Sequence, residues 1–240
     1  MKKNKIWAII PARSGSKNLK NKNIIYLNNQ PLIAYTIKSA LQSKIFEKIL
    51  VLTDSLKYAR IAKKYGAEIP FIRPKKISLD KSTDNDLYVY MLNFFKKKKI
   101  DLPNFFAHLS PVVPFRTNNV IKRGVKYFFK KKKNNFQSMR SVSQMGQPAY
   151  KMMRIINGKL CSIKKRDFDL NKLNMPRQSY EKTYIPNGLI DIISKKNLEL
   201  NKTTHGKKTI PFLVDQMYVD IDDRKDFLYA KYLINKNYLI

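Results

Sequence analysis

Residues 6–10 (IWAII) are a short apolar run that Pro11 stops, the pattern of a buried strand giving way to a loop. The loop that follows carries Arg13, Ser14, Gly15, Ser16, Lys17, Lys20 and Lys22. In open α/β sheets ligands gather beyond the carboxyl ends of strands. Small residues there let backbone N–H groups approach an anion, and cations neutralise it. Two readings follow: a triphosphate cradle, or a solvated basic loop in a lysine-rich chain. Neither GxxxxGK[ST] nor GxGxxG is present.

The chain beyond the loop alternates between the two regular periods. Residues 31–43 have apolar positions at helical spacing behind Pro31, and residues 48–53 (KILVLT) read as a buried strand. Asp54-Ser55 offers a cap for a helix over 56–65 that Gly66 stops; Asp54 is read as a cap ahead of a ligand contact. Asp84 is expected to cap a helix over 87–95, residues 105–109 to form another strand, 120–129 an amphipathic helix and 136–143 a further strand. Such alternation predicts a mostly parallel, Rossmann-like α/β sheet within one domain spanning 1–240. From Gln147 the character changes. Residues 150–163 are two alternating stretches about Asn157-Gly158, a hairpin signal, followed by a polar, basic arm through Lys182. A hairpin alone is marginal in water, so the insertion 147–182 is expected to find a partner surface or to remain a surface flap.

Composition narrows the chemistry. One cysteine, Cys161, excludes an intrachain disulfide, and His108 and His205 are too few for a zinc cluster, so any metal rests on oxygen ligands, favouring magnesium or manganese. No apolar run reaches the ~18 residues of a membrane span, and the basic start runs into Pro and Arg rather than a secretory core, so the expectation is a soluble, cytoplasmic protein. The net charge of +32 invites a polyanion partner. The lysines are scattered, however, with runs at 96–99 and 130–133 just after helix-like segments, where they suit the macrodipole. Nucleic acid is therefore not the expected partner.

Against that charge, five of 17 acidic residues, Asp215, Asp220, Asp222, Asp223 and Asp226, fall near the C-terminus. If VDIDD is a strand end, Asp220 and Asp222 share a face about 7 Å apart. Two such carboxylates repel unless a cation lies between them, which makes them a candidate hard-metal pair; the competing reading is a strand end before a capped helix. Asp223 reads as the cap and Asp226 as first-turn dipole stabilisation.

The order PARSGSK, Lys22-Asn23, PLIAYTI (31–37), SPVVPFRT (110–117), YIPNGLIDIIS (184–194) and VDIDD (219–223) resembles the acylneuraminate cytidylyltransferases along nearly the whole chain. That family's loop reads IPARGGSKG, and its other segments read QPTSPLRT, PNGAIY and VDIDTPED. Ser14 and Asn18 stand at usual glycines, Ser110 at a glutamine, Val112-Val113 at a Thr-Ser pair, and Asp191 at a tyrosine. The resemblance implies a cytidylyltransferase that joins CTP to a nine-carbon 2-keto acid sugar, giving a CMP-sugar and pyrophosphate. It implies that Ala12, Arg13, Ser14, Gly15, Ser16 and Lys17 hold the triphosphate, with Lys22, Asn23, Arg73 and Ser82 toward the nucleotide, and magnesium on Asp220 and Asp222. Ser110, Arg116, Tyr184 and Asn187 are the implied sugar-side residues, although Ser82 also reads as a plain cap and Arg116 as a brace of the sheet end. The hairpin resembles that family's dimerisation arm, implying a homodimer. The general base stays open between an aspartate and water. The rivals are another nucleotidyltransferase, such as a CMP-deoxyoctulosonate synthetase, and a basic polyanion-binding protein. The valine pair and Asp191 lead to the expectation of a less hydroxylated, legionaminic- or pseudaminic-type sugar.

Overall fold

The computed structural model describes residues 5–131, 137–163, 174–236 and 238. Strand β1 (Ile6–Pro11) is followed by the basic loop, the small ribbon β2 (Tyr26–Leu27) and β3 (Gln30–Pro31), and helix α1 (Leu32–Ser43). Next come β4 (Lys48–Leu52), α2 (Leu56–Lys64), α3 (Asp84–Lys97), β5 (Phe105–His108), α4 (Asn118–Lys131) and β6 (Ser138–Gln144). The hairpin β7 (Met153–Ile156) and β8 (Lys159–Ser162) precedes β9 (Tyr184–Ser194), α5 (Lys195–Asn201), β10 (Thr209–Leu213) and α6 (Arg224–Asn235). Six strands form one sheet in the order β10-β6-β9-β5-β1-β4, in which β9 alone runs antiparallel. The mostly parallel sheet expected from the alternation is therefore present.

Strand periodicity sorts the core. Ile6, Ala8 and Ile10 of β1 face one side with Ile33 and Ile37 of α1 and Val120 and Ile121 of α4. Trp7 and Ile9 face the other, against Leu87, Met91 and Phe95 of α3 and Leu198 of α5. A third cluster joins Leu27 and Leu32 to Val219, Ile221 and Leu233, which fastens the C-terminal segment and α6 over the loop end of the sheet.

Several local expectations are corrected. Ser55, not Asp54, caps α2, its hydroxyl accepting from the Tyr58 N–H; Asp54 is used elsewhere. Thr83, not Asp84, caps α3, in a reciprocal box with Asp86, whose carboxyl is held low chiefly by the Thr83 N–H. Residues 68–72 make only isolated bridges to β4. Residues 214–222 lie outside any strand, since β10 is Thr209–Leu213, and the chain bends at Gln216. Within β9 the chain kinks at Asn187-Gly188: Gly188 has φ +64°, and a Cβ there would lie 3.1 Å from Val113 Cγ2 and 3.2 Å from Ser110 Cβ. The kink coincides with a bulge opposite, between Arg140 and Val142 of β6. The Ser141 N–H that the ladder strands there donates to Asp191 Oδ1 at 3.0 Å, while Arg140 Nε and His205 Nε2 lie 3.6 and 3.2 Å from Asp191 Oδ2. Asp191 is thus occupied in stitching the bulge rather than offering a carboxylate to substrate.

Arg116, 2% exposed, is the largest of the fully buried side chains. Its guanidinium donates to the carbonyls of Leu189, Gly188 (2.8 Å) and Ser110 (2.7 Å) and to the Thr36 hydroxyl (2.8 Å). Burial draws its pKa down to about 9, with Asp220 and Asp191 pulling the other way, so it remains charged at neutral pH. One residue therefore ties α1, the loop after β5 and the kink of β9 together. Arg116→Ala removes guanidinium donors from the Leu189 and Gly188 carbonyls at roughly 1–3 kcal/mol each, while the Ser110 carbonyl keeps the Thr36 hydroxyl. The expected loss is about 2 kcal/mol or more of folding stability, read as a lower midpoint in urea denaturation.

Candidate active site

A cleft of about 480 Å³ lies beyond the carboxyl ends of β1 and β5, lined by residues of four segments that are remote in sequence. The basic loop supplies Arg13, Ser16, Lys17, Asn18, Lys22 and Asn23; the segment before α3 supplies Arg73, Asp80 and Ser82, and the first turn of α3 Asp84; the loop after β5 supplies Pro111 and Val112; and the C-terminal segment supplies Asp222.

The loop has a defined shape with a serine where a glycine was in doubt. Ser14 donates both its N–H, at 2.8 Å, and its hydroxyl, at 2.9 Å, to the carboxylate of Asp54. The buried Asn23 donates to the Arg13 carbonyl at 2.8 Å, and Ala12 N–H donates to Leu52 O at 3.0 Å. Ser16 N–H turns back on Ser14 O. The N–H groups of Ala12, Ser14 and Ser16 are therefore taken by Leu52, Asp54 and Ser14, and the backbone cradle is thinner than the residue types imply. Side-chain cations carry the anion-attracting field in its place.

Those cations converge on carboxylates. Asp80 receives Arg13 Nη1 at 2.9 Å and Lys17 Nζ at 2.5 Å, and the hydrogen bonds from Lys17 and then Arg13 hold its carboxyl below the usual range. Lys22 Nζ meets Asp222 Oδ1 at 2.7 Å. Arg73 is buried; its Nε donates to Ile77 O at 2.7 Å, and burial lowers its pKa against the pull of Asp84 and Asp54. Ser82 lines the cleft and its hydroxyl accepts from Leu79 N–H, so it shapes the loop ahead of the Thr83 cap.

At the cleft rim the acidic pair keeps its proximity without a strand. Asp222 is exposed, whereas Asp220 Oδ1 is buried with no hydrogen-bond partner, and burial followed by the charge of Asp222 raises the Asp220 pKa to about 6. Asp223 caps α6 in a reciprocal box with Asp226. Among the described residues no group of three or more His, Cys, Asp or Glu forms a ready metal cage. Two hard oxygens, one of them orphaned and uncomfortable as an anion, nonetheless suit a hard divalent cation that keeps most of its waters.

The sugar-side residues separate. Arg116 is enclosed in the sheet, and Asn187, fully buried, donates to Ser143 Oγ and accepts from Leu189 N–H. Tyr184 is half exposed at the start of β9, and neither it nor Ser110 lines the cleft. Of the valine pair, Val112 lines the cleft and Val113 is core against Gly188. Asp80 and Asp84 line the cleft and were missed as site residues, while Asp54, weighed as a ligand contact behind its reading as a cap, lies outside the lining and holds the loop through Ser14. The available signal was scarcity: in a chain of net charge +32 an aspartate beside a cationic loop has partners waiting for it.

A family model described as cytidylyltransferase matches residues 7–216. The chain belongs to the cytidylyltransferase family. It is 37% identical over 224 residues to an N-acylneuraminate cytidylyltransferase of Escherichia coli, which covers 93% of this chain and 50% of the relative. It is 30% identical over 239 residues to post-translational flagellin modification protein B of Campylobacter coli, covering 98% and 97%. A CMP-N,N'-diacetyllegionaminic acid synthase of Legionella pneumophila is 40% identical over 124 residues, covering 50% of this chain and 52% of the relative. The chain thus spans about half the length of the Escherichia coli relative. Among solved structures, a CMP:2-keto-3-deoxy-manno-octonic acid synthetase complexed with CTP superposes with TM-score 0.70 at 14% identity, over 97% of this chain and 99% of that one, a likeness of fold. No helix among the described residues is long and apolar enough to cross a membrane.

The raised Asp220 carboxyl has a consequence for stability. The native state holds its proton up to about pH 6 while the unfolded chain releases it near 3.8, so its contribution is full below 3.8 and is lost as pH rises toward 6. Thermal melts without divalent cation are expected to show Asp220→Asn gaining on the native protein between those values, and the gap shrinking when magnesium is added.

Proposed function

We propose that this protein uses CTP to activate a nonulosonic acid, a nine-carbon 2-keto acid sugar, releasing pyrophosphate and a CMP-sugar. The observation that carries the reading is the cleft itself, where Arg13, Lys17 and Lys22 face Asp222 in a chain of the cytidylyltransferase family whose relatives are named for sialic and legionaminic acids. Arg13 and Lys17, released from Asp80, bind the triphosphate and neutralise the charge that grows on departing pyrophosphate. Lys22 and Asn23 fix the nucleotide end of the loop, Asn23 through the Arg13 carbonyl. Arg73 and Ser82 shape the wall where the base would lie. The sugar's anomeric hydroxyl attacks the α-phosphorus as the bond to pyrophosphate breaks.

Asp220 and Asp222 would hold magnesium, or manganese, which when bound supplies Lewis-acid polarisation of the α-phosphate. The pair's orphaned oxygen and mutual repulsion support the assignment. Asp222→Asn is expected to lower turnover by at least about a hundredfold with little change in melting temperature, because its exposed carboxylate packs against nothing the core needs. Turnover near the native level at saturating magnesium refutes the metal assignment.

The insertion 147–182 is the proposed dimer arm. Ile155 is 74% exposed, and Ile156, Leu160 and Ile163 each remain more than two-fifths exposed on a hairpin that pairs only with itself. Residues 164–173 of the expected arm lie outside the described residues. Two copies covering these faces would form an isologous contact. Deleting 152–163 is expected to convert a sedimenting dimer to monomer; a native protein that sediments as monomer at micromolar concentration overturns the assignment.

For the sugar, Val112 brings apolar surface to the cleft where a hydroxyl-bearing side chain would favour a polyol, which supports a deoxygenated nonulosonic acid. Pyrophosphate release with CTP, magnesium and a panel of nonulosonic acids tests the activity and ranks the sugars.

A further inference from the structure

The winding of this sheet collects lysine at one edge. Strands β1, β4, β5, β6 and β10 all start at the edge opposite the cleft, and the helices that return the chain to those starts end there. Helix α2 ends in Lys63 and Lys64, α3 in Lys96 and Lys97 with Lys98 and Lys99 following, α4 in Lys130 and Lys131, and α1 is capped by Lys44. The antiparallel β9 ends at the same edge and is followed at once by Lys195 and Lys196; Lys207 and Lys208 stand just before β10. No arginine is among them. A helix dipole rewards a cation in the last turn, but Lys99, Lys207 and Lys208 lie outside any helix, so capping does not account for the accumulation.

The edge also has an apolar component. Between α3 and α5 lies a cleft of about 660 Å³ with Leu92, Leu102 and Leu198 in its walls and Lys96, Lys195 and Lys202 about it. Beside it Ile100 is 44% and Leu200 70% exposed. The acidic groups facing this side are few. Glu47 and Glu68 pair with Lys5 and Lys48, and Asp101 and Glu199 line the cleft.

From this geometry we infer that the strand-start edge is a docking face for an anionic lipid bilayer, with the active-site cleft directed away from the lipid. Lysines around a broad face act as point charges on long stems, each attracted to an anionic surface, while exposed aliphatic residues among them enter the headgroup layer. Nucleic acid fits less well, since the lysine runs carry neither the arginine forks that grip phosphate bidentately nor exposed aromatic rings for bases to stack on.

The test is co-sedimentation with vesicles of phosphatidylcholine alone and of phosphatidylcholine with about one-third phosphatidylglycerol, at ~0.15 M salt where long-range attraction is screened. The native protein is expected to bind only the anionic vesicles. Replacing Lys96, Lys97, Lys98 and Lys99 with Glu is expected to weaken partitioning by about a hundredfold or more. A control with Glu at the exposed Lys57, Lys122, Lys159 and Lys231, away from this edge, carries the same net charge and is expected to lose less than about a tenth of that factor. Circular dichroism confirms that both variants fold. Absence of binding at this salt, an equal loss in the control, or tighter binding to duplex DNA than to the anionic vesicles overturns the inference.

Discussion

A single guanidinium at the loop end of the sheet sets the geometry on which the cleft rests. Arg116 gathers the carbonyls of Gly188 and Leu189 in a kinked antiparallel strand and shares the Ser110 carbonyl of a proline-rich loop with the Thr36 hydroxyl. The kink needs Gly188 because a Cβ would collide with the loop that Arg116 holds. The bulge opposite it needs Asp191 to accept the N–H that the ladder gives up. Ser110 and Arg116, which the resemblance implies as sugar-side residues, are thus parts of one brace. The cleft inherits its wall, Pro111 and Val112, from that brace.

The electrostatic design is one of rationed carboxylates. Asp54 is spent on fixing the loop through Ser14, Asp80 sits between Arg13 and Lys17, and Asp222 sits against Lys22. Each anion is exposed enough to be exchanged for a phosphate oxygen or a cation, apart from Asp54, which shapes the loop from behind. Asp220 is the exception in the other direction, half-buried with its Oδ1 enclosed and orphaned, which raises its pKa and would suit a bound cation.

The two ends of the sheet consequently differ in kind. At the cleft, cations are matched by acidic side chains and form a binding site with defined partners. At the opposite edge lysines accumulate around an apolar-walled cleft with few acidic partners, so the field there extends outward.

How much of this was legible depends on the range of the interaction. The strand Ile6–Pro11, the helix behind Pro31, the Asn157-Gly158 hairpin and the Asp223 cap follow from local periodicity and turn chemistry, and all are present. The motif order also carried the family, because its loop and its VDID segment are contiguous in the chain. What the tertiary structure decided were choices between equivalent neighbours and contacts between distant ones. Ser55 and Thr83 cap α2 and α3 in place of Asp54 and Asp84: Asp54 is taken up by Ser14 of the basic loop, and Asp84 lines a cationic cleft assembled from remote segments. Val113 went to the core and Val112 to the cleft. Arg116 was committed to carbonyls 72 and 73 residues away, a pairing with no sequence signature. The sequence by itself determined which residues could bind an anion or a hard cation; only the folded chain decided which kept their polar atoms free to do so, because buried donors and acceptors must first satisfy one another.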